Sequence, residues 1–276
     1  MTHEDGRFAG AAGGEIHWQA WDVEQPRGLV LLVHGYAEHS GRYVHVAGRL
    51  NASSYAVWTV DHRGHGGSDG TPGNVESFAT LRSDLATLRT MAEERHPGVP
   101  VFVVAHSLGG LIALDWLLDG GEAGLSGLVT SGAAVDPSVG TRVEKLVAPV
   151  LSRLAPNLGV SRVDAAQVSR DPAVVSAYDA DPANYRGAIR ARTGAETLSA
   201  IGRVMPRLRE LRVPALVLHG GADRIASPTG SRLVAERLGG DDVISREYEG
   251  LFHEIFNEPE RDAVLDEVVD WLDRHC

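Results

Sequence analysis

The chain has 276 residues, 26 basic and 37 acidic side chains, and a formal charge of −11; Lys145 is its one lysine and Cys276 its one cysteine. The length suits a single α/β domain with a large core, the acidity excludes a nucleic-acid partner, and one cysteine excludes a disulfide framework or a cysteine-based zinc site. No signal peptide is evident, and the longest apolar runs, GLVLLV and VPVFVVA, fall far short of the roughly 18 residues of a membrane span, so a cytoplasmic globular protein is expected.

Taken in chain order, the first dozen residues are small and polar and are expected to be loosely ordered. Candidate strands follow at 16–21, 28–33, 56–61 and 101–105, then at 125–131, 215–219 and 243–249. Several are almost wholly apolar, as a sheet buried on both faces requires. Between them lie helical periods. Residues 78–94 carry apolar positions at Phe78, Leu81, Leu85, Leu88 and Met91, and 231–238 and 262–272 are shorter examples. Strands alternating with helices predict a mostly parallel sheet flanked by helices. Residues 137–205 break the rhythm: no convincing strand occurs there, and Val143, Leu146, Val147, Val150, Leu151 and Leu154 form a helical stripe. The pattern fits either an ordinary helix packed on the sheet or an inserted helical cap. The second reading divides the chain into core residues 1–136, cap residues 137–205 and core residues 206–276.

The strongest chemical signal lies at 99–118, where an apolar strand ends at Ala105 and His106-Ser107-Leu108-Gly109-Gly110 turns into an apolar helix. This is the context of a nucleophile elbow, with Ala105 in place of the usual first glycine. A serine hydroxyl needs a base, and in hydrolases of this architecture the order is serine, acid, histidine. That order selects His253 over His219, which reads as a strand-end core residue, and over His275 beside the C-terminus. Asp223, in the loop after strand 215–219, is preferred as the acid to Asp136, which could cap the next helix. Oxyanion stabilisation needs two backbone N–H groups; Leu108 and Tyr36, in the His34-Gly35-Tyr36 turn, are the candidates. His34, Glu38 and His39 miss a zinc spacing by one residue, and Gly64-His65-Gly66 lacks the third glycine of a dinucleotide fingerprint. No metal or cofactor is expected.

With these motifs in place, the chain resembles the α/β-hydrolase superfamily over nearly its whole length. Within it, the chain is similar to monoacylglycerol lipases and lysophospholipase-type serine hydrolases. The resemblance rests on the run His34 to Tyr43, on Asp61-His62-Arg63-Gly64-His65-Gly66-Gly67-Ser68, on the elbow, on Gly221-Ala222-Asp223 and on His253. It implies that Ser107, Asp223 and His253 form a triad with Tyr36 and Leu108 as oxyanion donors, and that a helical cap follows the sixth strand. It further implies that Glu38, Arg42, His106 and the cap residue Tyr178 hold a glycerol head. The expected function is hydrolysis of monoacylglycerols through an acyl-enzyme, with the Val143–Leu154 stripe lining an acyl tunnel or dipping into a lipid surface. Alternatives are a carboxylesterase or lysophospholipase and, in another reaction class, a cofactor-free haloperoxidase.

Overall fold

The computed structural model describes residues 2–276. Its strands are β1 (Thr2–Ala9), β2 (Glu15–Asp22), β3 (Gly28–Val33), β4 (Tyr55–Val60), β5 (Val101–His106), β6 (Leu125–Ser131), β7 (Gly159–Ser161), β8 (Ile189–Arg190), β9 (Ala215–Gly220) and β10 (Val243–Tyr248). Its α-helices are α1 (Val44–Ala52), α2 (Phe78–Arg95), α3 (Leu108–Trp116), α4 (Arg142–Leu154), α5 (Pro172–Ala180), α6 (Ala191–Val204), α7 (Pro228–Arg237) and α8 (Arg261–Arg274). Eight strands form one sheet in the order β1-β2-β4-β3-β5-β6-β9-β10. β1 and β2 pair antiparallel, as do β2 and β4; every other pairing in this sheet is parallel. The central strands β3, β4, β5 and β9 are buried along their whole length, which is why they read as continuous apolar runs. One core, with Phe78, Leu85 and Leu111, fills one face of the sheet. The other, with Phe102, Val264 and Trp271, fills the opposite face. The fold is the α/β-hydrolase arrangement expected from the sequence.

Two expectations fail. The first residues are not loose: Thr2 to Ala9 form β1, in register with β2 from Thr2 opposite Asp22 to Ala9 opposite Glu15. An edge strand that buries little besides Phe8 needs no apolar pattern, so hydrophobic periodicity cannot find it. Residues 137–205 are not free of strand either, since β7 and β8 pair into a two-stranded antiparallel ribbon. Strands of three and two residues are too short to carry a period.

The stripe on α4 is arranged opposite to a packed helix. Val143, Leu146 and Leu154 are 70%, 78% and 81% exposed, and Val147 and Val150 also face outward. Leu151 alone of the stripe is half-buried; Ser152 is the one buried residue of the helix and accepts a hydrogen bond from Arg192. Thr141 starts the helix in a reciprocal cap: its hydroxyl accepts from the Glu144 N–H and the Glu144 carboxylate accepts from the Thr141 N–H. Among the described residues no helix is long and apolar enough to cross a membrane.

Candidate active site

Ser107 joins β5 to α3 with φ +52° and ψ −120°, a left-handed conformation that an L-residue adopts only under constraint. The constraint comes from close packing on either side. A Cβ on Gly109 would lie 2.3 Å from the Val33 carbonyl oxygen, so β3 and α3 can approach only over glycine. The Ser107 carbonyl accepts from the Gly110 and Ala134 N–H groups, and its own N–H donates to Ser131. Ala105 is fully buried in β5 and leaves this turn intact.

The turn presents the hydroxyl to a histidine. Ser107 Oγ lies 2.8 Å from His253 Nε2, and His253 Nδ1 lies 2.7 Å from Asp223 Oδ2. Asp223 sits in the loop after β9, where its Oδ1 accepts the Ile225 and Ala226 N–H groups. His219 approaches the same Oδ2 at 2.9 Å and reaches Ser231 with its other nitrogen. Burial raises a carboxyl pKa, but the bonds from His219 and His253 prevail and hold Asp223 well below the usual carboxylate range. Burial lowers a histidine pKa, but at His253 the Asp223 bond and charge, with Glu254 and Glu38, hold the imidazole above its ordinary value. Asp136 makes no hydrogen bond to His253; its Oδ1 caps the turn through the Ser138 N–H. His275 sits at the end of α8 against Asp242.

Ser107, His253, Tyr36 and Leu108 line one cavity of about 420 Å³, together with Glu38, His106 and Tyr178. Leu108 is the first residue of α3, so its N–H has no acceptor within the helix. The Tyr36 N–H likewise has no protein acceptor among the described residues. The loop that carries Tyr36 is fixed from below and from the side. His34 donates to the Gly35 carbonyl and accepts from the His62 N–H, which requires the neutral ring that burial beside His62 and His65 enforces. Glu38 Oε1 accepts the Gly35 N–H at 2.6 Å and the Tyr43 hydroxyl at 2.7 Å. The Ala37 carbonyl, at a residue with φ +64°, accepts from Tyr178 and from the Tyr185 N–H. Gly35 must lack a side chain, because a Cβ there would lie 2.9 Å from Ser107 Cβ.

Arg42 is not in the cavity wall. Its guanidinium is committed to a bidentate pair with Glu254 at 2.7 Å on each branch, donates to Glu38 at 2.9 Å, and stacks 4.8 Å from the Tyr178 ring. It thus ties together the Tyr36 loop, the residue beside His253 and α5. Burial would raise the Glu254 pKa, but the Arg42 charge brings it down to about 2. Burial lowers His106 to about 3, so this ring is neutral, 4.7 Å from the His253 ring. Two participants escape a reading of the sequence. Glu254 has no motif, although an acid directly after the selected histidine was a visible signal. His219 reads as a core residue, and its bond to Asp223 depends on a loop closure that no pattern encodes.

Comparison with known proteins adds to this geometry. Residues 24–260 match the family model described as serine aminopeptidase, S33. A monoacylglycerol lipase of Mycolicibacterium smegmatis is 43% identical, over 99% of this chain and 98% of the relative. The human monoglyceride lipase is 34% identical, over 90% of this chain and 82% of its own length. Among solved structures, a Paleococcus ferrophilus monoacylglycerol lipase superposes with a TM-score of 0.82 at 30% identity, and all of both chains is covered.

Proposed function

Since the chain belongs to the serine aminopeptidase S33 family of α/β-hydrolases, we propose that it is a serine ester hydrolase cleaving monoacylglycerols to glycerol and fatty acid. The observation that carries this is the unbroken hydrogen-bonded chain from Ser107 through His253 to Asp223, opening on a cavity bordered by two free backbone donors. In this reading Ser107 Oγ attacks the ester carbonyl while His253 Nε2 takes its proton, and the Tyr36 and Leu108 N–H groups hold the oxyanion. His253 returns the proton to the departing glycerol oxygen. A water then gives a proton to His253 as it attacks the acyl-enzyme, and fatty acid leaves with Ser107 restored. Asp223 stays ionised throughout and stabilises the imidazolium.

The S33 name raises amide substrates as an alternative, and the charges in the wall favour a neutral ester. An aminopeptidase substrate brings an ammonium that needs an available carboxylate, yet Glu38 and Glu254 share the Arg42 guanidinium and Asp164 Oδ1 accepts the Ala166 N–H. In this reading Glu38, His106 and Tyr178 border the glycerol head, whereas Arg42 acts from behind as a positioning residue. Residues 137–205 are read as a cap over core segments 1–136 and 206–276. The outward stripe of α4 is read as the face by which a cytoplasmic enzyme touches lipid surfaces peripherally, rather than as the wall of an acyl tunnel. The decisive experiment is labelling by a fluorophosphonate together with turnover of monoacylglycerols. Ser107→Ala should abolish labelling and lower kcat on the order of a million-fold; persistent labelling would sink the assignment.

A further inference from the structure

Val139, on the loop leading into α4, lines the reaction cavity and also a second cavity of about 390 Å³. The second cavity shares no other residue with the first. Its wall is apolar at Val139, Leu198, Ile201 and Met205, and cationic at Lys145 of α4 and Arg237 of α7. Neither cation has a carboxylate within ion-pair distance among the described residues. The Lys145 ammonium donates to the Pro137 carbonyl at 2.7 Å, and Asp136 nearby commits an oxygen to the Ser138 N–H. In a chain with a net charge of −11, two cations from different helices stand on an otherwise apolar wall, neither of them ion-paired. Such a wall suits a molecule with a hydrocarbon body and an anionic end. A lysine serves here because its four-carbon stem can lie along apolar surface while the ammonium turns to meet a charge.

We propose that this cavity is a second ligand site, beside the reaction cavity and separate from it, that binds a long-chain carboxylate. The choice of occupant rests on the reaction proposed above, whose acyl product is such a carboxylate set free on the other side of Val139. Lys145 and Arg237 would match its charge there, while the chain lies along Val139, Leu198, Ile201 and Met205.

The test is calorimetric titration of the full chain with dodecanoate, before and after Ser107 is blocked by a long-chain fluorophosphonate that fills the reaction cavity. The blocked protein should still bind one dodecanoate. The variant K145M/R237M, which keeps the apolar stems, should weaken that binding at least tenfold, whereas binding of neutral dodecanol should change less than twofold. Turnover of p-nitrophenyl acetate by the unblocked variant should stay within twofold of the parent, which shows that it is folded. Complete loss of dodecanoate binding on blocking would put all of it in the reaction cavity and overturn the proposal. So would binding indifferent to K145M/R237M, or dodecanol bound as tightly as dodecanoate. A protein that binds dodecanoate through these cations but leaves monoacylglycerols intact would refute the proposed function and keep the second site.

Discussion

Replacing Arg42 by methionine separates the role its position gives it from the role the family resemblance implies. Its side chain is only 10% exposed, and it makes two bonds of 2.7 Å to Glu254 and one of 2.9 Å to Glu38. Removing one partner of a buried ion pair costs about 3–5 kcal/mol. Here two buried carboxylates lose it together, but burial already holds the Glu38 carboxyl above its ordinary pKa, so protonation relieves part of the strain. The lower end, about 3 kcal/mol, is expected, and at about 2–4 °C per kcal/mol the Tm should fall by roughly 6–12 °C. Catalysis should suffer through geometry, because Glu38 is what holds the Gly35 N–H one residue from the Tyr36 donor. Outright loss of an oxyanion donor costs about 100- to 1,000-fold in kcat, so a loosened one should cost about 10- to 100-fold, with KM changed less than threefold. The double variant R42M/E254Q should recover on the order of 1–2 kcal/mol, because it removes a stranded charge. Urea unfolding and steady-state kinetics on monoacylglycerols read both effects. An unchanged midpoint, with KM raised tenfold for monoacylglycerols but not for p-nitrophenyl acetate, would show instead that Arg42 binds the headgroup, and would refute the positioning argument.

Four further outcomes follow from the structure. With His253 as the proposed base, which must be unprotonated to act and is held above the ordinary 6.5, kcat/KM should decline on the acid side with a midpoint above 6.5. Glu254→Gln removes one of the charges that raise His253 and should move that midpoint down; an upward move would contradict the assigned cause. Gly109→Ala puts a Cβ against the Val33 and His34 carbonyl oxygens and should destabilise by about 3 kcal/mol or more, as a thermal melt would show. The pair Leu146→Ser and Val150→Ser on the outward face of α4 gives up about 1.5–3 kcal/mol of apolar burial per side chain in a lipid surface. Vesicle sedimentation should therefore fall at least tenfold, with p-nitrophenyl acetate turnover unchanged; equal sedimentation would dismiss this face as the contact.

How legible the molecule was depended on whether a feature is local in sequence. Buried parallel strands such as Val101–His106 leave continuous apolar runs, so the sheet and its helices could be read directly. Ser107, Asp223 and His253 follow strand ends, and the serine–acid–histidine order selected the last two among twelve histidines and many acids; the structure brings the three side chains together. What was lost depends on distance. The Arg42–Glu254 pair joins residues 212 apart, and although Glu254 directly follows His253, nothing in the sequence pairs it with Arg42. The stripe on α4 has a helical period whichever way it faces, since periodicity defines a face but not the neighbour it meets. β1 escaped for the opposite reason: its hydrogen bonds are regular, but its side chains bury almost nothing.

That outer strand has a bearing on how the molecule behaves at high concentration. An eight-stranded open sheet ends in two rows of unpaired backbone groups, and such rows template association between copies. On one side the last strand is β1, which carries His3, Glu4, Asp5 and Arg7. On the other it is β10, where Arg246 and Glu247 are pinned to Glu267 and Arg232. A second copy adding its own strand at either border would have to strip water from these charges. The rim of the sheet therefore resists fibre-like growth, and the lipid contact proposed for the outward face of α4 does not require the sheet to become a seed for self-assembly.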